Sequence, residues 1–352
     1  MTNLLFVFTL AVLSAVLFNW GFRVLPGERW QILASVPVSK DESESWRGAN
    51  LTYYGLLIAN AYTAAAILGF VLLGAIGTPL HWTLAVVISL TLLCVPVSRI
   101  AARLVEKKSS TLTVGGASFV GIIAVPWLVW LLNETLGRVL HYRVPLICAL
   151  AALSIAYALG EGLGRLACIS FGCCYGKPLS EIHPLLGRVL NEHSFIFRGK
   201  TKKIAYAGHM DGVKVVPIQA ITAILYVGAS LLCSALFLES YYTAAYLVSL
   251  VVTQGWRAFS EIFRADYRGG GKLSAYQWMS IAAVIYALAV SLVLAGIPVA
   301  VAQPNILGGL RSVWRPAMVL FLQALWLAVF FYAGRSMVTG STLSFHVLRD
   351  RI

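Results

Sequence analysis

Gly164-Arg165-Leu166-Ala167-Cys168-Ile169-Ser170-Phe171-Gly172-Cys173-Cys174-Tyr175-Gly176-Lys177 closes a long apolar run with an arginine where a bilayer makes charge expensive. A second apolar run ends the same way, in Arg257-Ala258-Phe259-Ser260-Glu261-Ile262-Phe263-Arg264. An arginine at the hydrocarbon centre is unfavourable by roughly 2.5–3.5 kcal/mol on insertion scales, so it persists only beside a polar cavity, a headgroup or a carboxylate. Continued as a helix, the second segment sets Arg257, Glu261 and Arg264 at i, i+4 and i+7, a carboxylate between two guanidiniums on one face. That face keeps net positive charge, and a guanidinium is a planar fork that grips phosphate through two parallel hydrogen bonds. The competing account is a snorkelling pair that trims the end of a helix.

Outward from these segments the composition is 59% hydrophobic and only 12% charged, with mean hydropathy +0.81. That excludes an ordinary soluble globule and predicts an all-α, polytopic integral membrane protein. Runs long enough to span, about 20 residues, lie near 3–21, 51–74, 80–98, 114–133, 144–163, 216–238, 241–258, 276–298 and 315–334, giving eight or nine spans. No Lys or Arg precedes the first run, so it reads as an uncleaved helix rather than a signal peptide. Residues 1–50 are expected to form an extra N-terminal helix and loop, 51–298 the membrane core, and 299–352 a further span and tail. The polar stretch 176–215 keeps apolar residues among its lysines and histidines, which predicts a small structured extramembrane head rather than a disordered linker. Gly269-Gly270-Gly271 reads as a turn between helices and lacks the spacing of a phosphate loop.

The net charge of +13 is unevenly placed. With nine spans, 23 of the 27 Lys and Arg fall on one set of alternate loops, and only Arg138, Arg143, Arg311 and Arg315 on the other. The positive-inside rule assigns the basic set to the cytoplasm. Such loops serve anionic-lipid contact and topology, so no nucleic-acid partner is expected. The six cysteines lie mostly in apolar runs, where they behave as small hydrophobes. Cys168, Cys173 and Cys174 lack the spacing of a familiar metal site, so no metal and no cofactor is expected.

Five segments together resemble the prolipoprotein diacylglyceryl transferase family, which moves diacylglycerol from phosphatidylglycerol onto the thiol of a lipoprotein precursor. They are Tyr53-Tyr54-Gly55-Leu56, Ser98-Arg99-Ile100-Ala101, Gly115-Gly116-Ala117-Ser118-Phe119-Val120-Gly121, the Gly164–Lys177 segment, and Arg257 through Glu261 and Arg264 to Asp266-Tyr267-Arg268 and Gln277-Trp278. The likeness covers about residues 51–298 and implies a seven-helix core open sideways to lipid, in a bacterial cytoplasmic membrane. It implies Arg165 and Arg257 as catalytic groups, with Glu261 and Arg264 orienting Arg257. Tyr54, Arg99, Gly115, Gly116, Ser118, Gly164, Cys168, Gly172, Tyr175, Gly176 and Gln219 would line the lipid site, the glycines admitting backbone close to a headgroup.

This chain also departs from the family pattern. Val120 and Val216 stand where the family has histidines, Thr222 where it has a glutamate, and Cys168 where many members have asparagine. A valine cannot shuttle a proton. His183, His193 and His209 are candidate replacements in the polar stretch, and Glu161 precedes Arg165 by one turn as a neutralising partner. The implied function is transfer of diacylglycerol from phosphatidylglycerol to a lipoprotein thiol or another acceptor, with release of glycerol-1-phosphate. The alternative is a noncatalytic binder or transporter of phosphatidylglycerol or another anionic phospholipid on the same scaffold.

Overall fold

A computed structural model describes residues 2–42, 45–105, 114–266, 273–299, 301 and 303–352. Tyr267, Arg268 and the Gly269–Gly271 turn lie outside the described residues. The chain opens with helix α1 (Thr2–Val24), hairpin strands β1 (Ile32–Lys40) and β2 (Trp46–Thr52), and helices α2 (Tyr53–Ala75), α3 (Leu80–Val105) and α4 (Val114–Glu134). A single turn α5 (Leu136–Val139) leads into α6 (Leu146–Phe171). The polar stretch then folds as α7 (Pro184–Leu190), β3 (Phe195–Ile196), α8 (Lys203–Gly208) and β4 (Lys214–Val215). Helices α9 (Ile218–Leu238), α10 (Tyr242–Ser260), α11 (Ala275–Leu294), α12 (Ile306–Val313) and α13 (Pro316–Gly334) follow, and strand β5 (Arg335–Leu343) ends the fold.

Eight of these helices are long and apolar enough to cross a membrane, and the chain is a multi-pass membrane protein. The remaining long helix, α10, is 19 residues with Ser249, Thr253, Gln254 and Ser260 buried. Positions 249, 253 and 257 repeat every fourth residue, so α10 turns a polar stripe inward that ends at Arg257. Helix α6 is the axis of the bundle, flanked by α2, α9 and α10. Small residues permit that closeness: a Cβ at Gly162 would stand 2.8 Å from Val227 Cγ2 and 3.1 Å from the Val227 backbone nitrogen of α9. Between packed transmembrane helices such contact replaces the hydrophobic drive that lipid does not supply.

The flanks are more ordered than the sequence reading expects. Residues 32–40 and 46–52 are paired strands where a loop is expected, and 335–343 is a third strand rather than a tail, in the order β1-β2-β5 with all pairs antiparallel. Side chains pin it: Ser35 Oγ donates to Asn50 Oδ1 at 2.7 Å, Asn50 Nδ2 to Thr339 Oγ1 at 3.2 Å, and Thr52 Oγ1 to the Gly334 carbonyl at 2.9 Å. Where this sheet meets the bundle, a Cβ at Gly55 would stand 2.0 Å from Gly334 Cα. The start of α2 and the end of α13 touch there as bare backbone.

The 176–215 stretch is anchored to the end of α6 by Lys202. The sequence reading counts this lysine only among the basic residues of the polar stretch; its side chain is fully buried. Its Nζ donates to the carbonyls of Ser170 (2.6 Å) and Leu25 (3.1 Å), satisfying an orphan carbonyl at the α6 terminus with a cation at the negative end of the dipole. Burial pushes its amine down to about 8, against the pull of Glu28.

Candidate functional site

Arg165 on α6 and Arg257 on α10 are 92 residues apart in sequence and meet on one carboxylate oxygen. Both Nη2 atoms pair with Glu161 Oε1. Tyr157, one turn earlier on α6, accepts from Arg257 Nη2 at 3.2 Å and from Gln254 Nε2 at 3.1 Å. Tyr157, Glu161 and Arg165 are thus i, i+4 and i+8 on one face of α6, and Gln254 and Arg257 are i and i+3 on α10. Two guanidiniums share one carboxylate, so one positive charge is left uncompensated at the centre of the bundle. Arg165 Nε, Arg257 Nε and Gln219 Oε1 are buried with no hydrogen-bond partner among the described residues, although buried polar groups are normally paired.

The sequence reading makes Glu261 the partner of Arg257, and the structure corrects that. Helix α10 ends at Ser260, and residues 261–263 tighten into a 3₁₀ turn, which breaks the i, i+4 register. Glu261 instead accepts from Ser274 Oγ at 3.2 Å and lies 4.0 Å from Arg264. Arg264 forms a two-pronged pair with Asp266, at 2.9 Å in each prong. The sequence reading also misses how the two motifs join. Lys177 N donates to the Phe263 carbonyl (2.8 Å), Ala265 N to the Tyr175 carbonyl (3.2 Å), and Gly176 bridges Arg264. Gly176 has to lack a side chain, since a Cβ would lie 2.4 Å from the Val216 carbonyl oxygen.

Other expected site residues divide into two groups. Gly115 opens α4 against the cluster, where its Cβ would meet the Tyr276 ring at 2.5 Å and Arg257 Nη1 at 3.3 Å; the neighbouring Gly116 is buried. Gln219 Nε2 donates to the Cys173 carbonyl at 2.9 Å. Tyr54 packs edge-on to Phe171 at 5.7 Å, and Tyr175 is buried beside Gly208. Gly172 takes φ +70° as the left-handed cap of α6, so Cys173 N reaches back to the Cys168 carbonyl at 3.0 Å.

The second group is engaged in other contacts. Ser118 spends its hydroxyl on the Gly115 carbonyl (3.0 Å), Gly164 faces Ile58 and Ala61 of α2, and Arg99 lies over the Tyr332 ring of α13 at 4.8 Å. For Arg99 the correction is physical: α13, outside the family-like core, supplies an aromatic face that holds the cation.

A cavity of about 10 Å³ lies among Arg165, Cys174, Gln219, Thr222, Arg257 and Arg264. That is one water's worth of room, so a headgroup enters only as these side chains part. All six histidines are exposed, and His183 is an N-cap for α7 through Nδ1. None of the three histidines proposed as a replacement base lines the cavity.

A multi-helix membrane bundle with paired arginines buried at its centre is the class that this fold and site define. A family model for prolipoprotein diacylglyceryl transferase matches residues 45–293. The match takes in both arginines and more than half the chain, and the protein belongs to that family of membrane transferases. No curated protein matches the chain.

Proposed function

We propose that the chain transfers the diacylglyceryl group of phosphatidylglycerol to a cysteine thiol, releasing glycerol-1-phosphate. The observation that carries the reading is the pair of guanidiniums on Glu161, with one uncompensated positive charge and two unpartnered Nε donors. A phosphodiester brings one negative charge and two free oxygens. Held by Arg165 and Arg257, it is oriented for attack at its diacylglyceryl carbon, and the dianionic leaving group meets donors already aimed at it. Glu161 keeps the two arginines together before the lipid arrives, while Arg264 and Asp266 lock the Gly172–Lys177 loop over the site.

Purified protein incubated with headgroup-labelled phosphatidylglycerol and a cysteine peptide tests this. Glycerol phosphate is expected from the wild type and lost in Arg165→Ala and Arg257→Ala, with membrane insertion unchanged; release kept in both variants would sink the mechanism. The exposed position of every histidine favours the noncatalytic reading, which predicts phosphatidylglycerol binding and no release with any acceptor. Sidedness separates acceptors. A single cysteine at exposed Glu192, labelled by an impermeant reagent in intact cells, fits an emerging lipoprotein precursor; protection fits a cytoplasmic thiol, as the loop charges indicate.

A further inference from the structure

The mechanism above lacks a base, and the structure holds an unused cluster beside its arginines. The Sγ atoms of Cys168, Cys173 and Cys174 all lie within 4.8 Å of one another. Two left-handed residues make this possible. Gly172 at φ +70° closes α6 so that Cys173 folds back over Cys168, and Cys174 at φ +55° turns the next thiol to the same point. A non-glycine residue in that region is uncommon, and such conformations gather at functional sites. Sequence spacing argues against a metal here because neighbouring cysteines in an extended chain point apart; the two turns remove that objection.

From this geometry we infer that Cys168, Cys173 and Cys174 bind a thiophilic d¹⁰ cation of the zinc class, whose fourth position takes the acceptor thiol. The inference rests on the thiol-transfer reading above. A metal–sulfur bond of about 2.3 Å puts the sulfurs of one ion about 3.8–4.0 Å apart, so the cluster closes on an ion with shifts of under about 1 Å. Three protein ligands with one position left for substrate is the pattern of a catalytic rather than a structural zinc site. Three thiolates on a divalent ion carry net negative charge, and Arg165 lies in electrostatic reach of Cys168 and Cys174, Arg264 of Cys174. Cys174 also lines the cavity shared by Arg165 and Arg257, which puts metal and phosphodiester in one chamber.

The cation supplies what Val120 and Val216 cannot. A thiol that coordinates it loses its proton to water on binding, without a histidine. The metal-bound sulfur donates its electron pair to the diacylglyceryl carbon next to the phosphate ester. That carbon–oxygen bond breaks, its electron pair leaves on the phosphate oxygen, and glycerol-1-phosphate departs as a dianion held by the arginines. The neutral thioether is a weak ligand and vacates the ion.

The test uses the full chain in detergent, titrated with cobalt(II) as a coloured substitute for zinc. The expected result is one cobalt per chain with a thiolate-to-cobalt charge-transfer band, which grows when a cysteine peptide is added. Cys168→Ser, Cys173→Ser and Cys174→Ser should each bind at least about tenfold more weakly, and Cys94→Ser, on α3, should match wild type. No charge-transfer band in wild type and Cys94→Ser, a band unchanged in all three variants, or no response to the peptide would each overturn the proposal. Glycerol phosphate release is followed in parallel. Release that survives complete metal stripping overturns the metal site and leaves the transfer reading standing. A cysteine-dependent, peptide-responsive band with no release upholds the metal site and refutes the transfer reading.

Discussion

Replacing Glu161 by glutamine removes the one charge that two buried arginines share, and the structure fixes the order of the consequences. Both Nη2 atoms bond the same oxygen, so the guanidiniums lie on the order of 5 Å apart. At an effective dielectric near 20, two like charges at that distance repel by about 3 kcal/mol. Removing one member of a buried ion pair typically costs about 3–5 kcal/mol, and the two estimates agree. Arg165→Gln or Arg257→Gln leaves a balanced pair instead. The expected stability order is therefore unusual: Glu161→Gln melts lowest, by roughly 5 °C or more, while either arginine variant melts close to wild type even though it abolishes transfer. The assay is the loss of monodispersity on heating in detergent, scored beside glycerol phosphate release. Equal melting of Glu161→Gln and wild type, or arginine variants that melt well below it, would refute the shared-charge account.

Tyr157→Phe removes the acceptor of two hydrogen bonds and leaves Gln254 and an Arg257 amine with unmet donors, at about 1–3 kcal/mol; release should fall about 10- to 100-fold with insertion intact. Gly55→Ala forces a methyl into the Gly334 backbone, and the protein should fail to accumulate or melt far below wild type, whereas Gly228→Ala, with open space around it, should be silent. Lys202 has a folded value of about 8 beneath its ordinary 10.5. The cost of burying its ammonium is therefore present below pH 8 and relieved as pH rises from 8 to 10.5. Melting at pH 7 and pH 10 should show wild type gaining on Lys202→Met across that window; parallel curves would show that the amine is not buried as described.

The spans were legible because runs such as 51–74 and 216–238 satisfy one constraint, internal satisfaction of every backbone group in hydrocarbon. Helix α6 ran eight residues past its expected end, to Phe171, since the hydropathy drop at Arg165 marks a paired cation rather than a membrane edge. Of the site, sequence offered the two arginines and the loop glycines but paired Arg257 with the wrong carboxylate. Glu261 satisfied a helical spacing that the 3₁₀ turn abolishes, while Glu161, 96 residues away, carried no local signal of its second partner. The i, i+4, i+8 set Tyr157, Glu161, Arg165 was the available clue. The sheet went unread for a similar reason: its central strand β2 pairs with β1 close by and with β5 at the far end of the chain, and that second pairing leaves no local signal.

That sheet also counts. Strands β2 and β5 are hydrogen-bonded neighbours, so they stand on the same side of the bilayer, and a chain that leaves a surface and returns to it crosses an even number of times. Between Thr52 and Arg335 seven of the described helices are long and apolar enough to cross, from Tyr53–Ala75 to Pro316–Gly334. Seven is odd, and the eighth traverse is α10, the expected 241–258 span, whose buried polar stripe makes it less apolar than the others. Parity then puts the Arg165 end of α6, the Arg257 end of α10, the start of α4 and the three-stranded sheet on one surface, and Thr2 on the other. A glycosylation or protease tag on any one of these loops therefore reports the orientation of all of them.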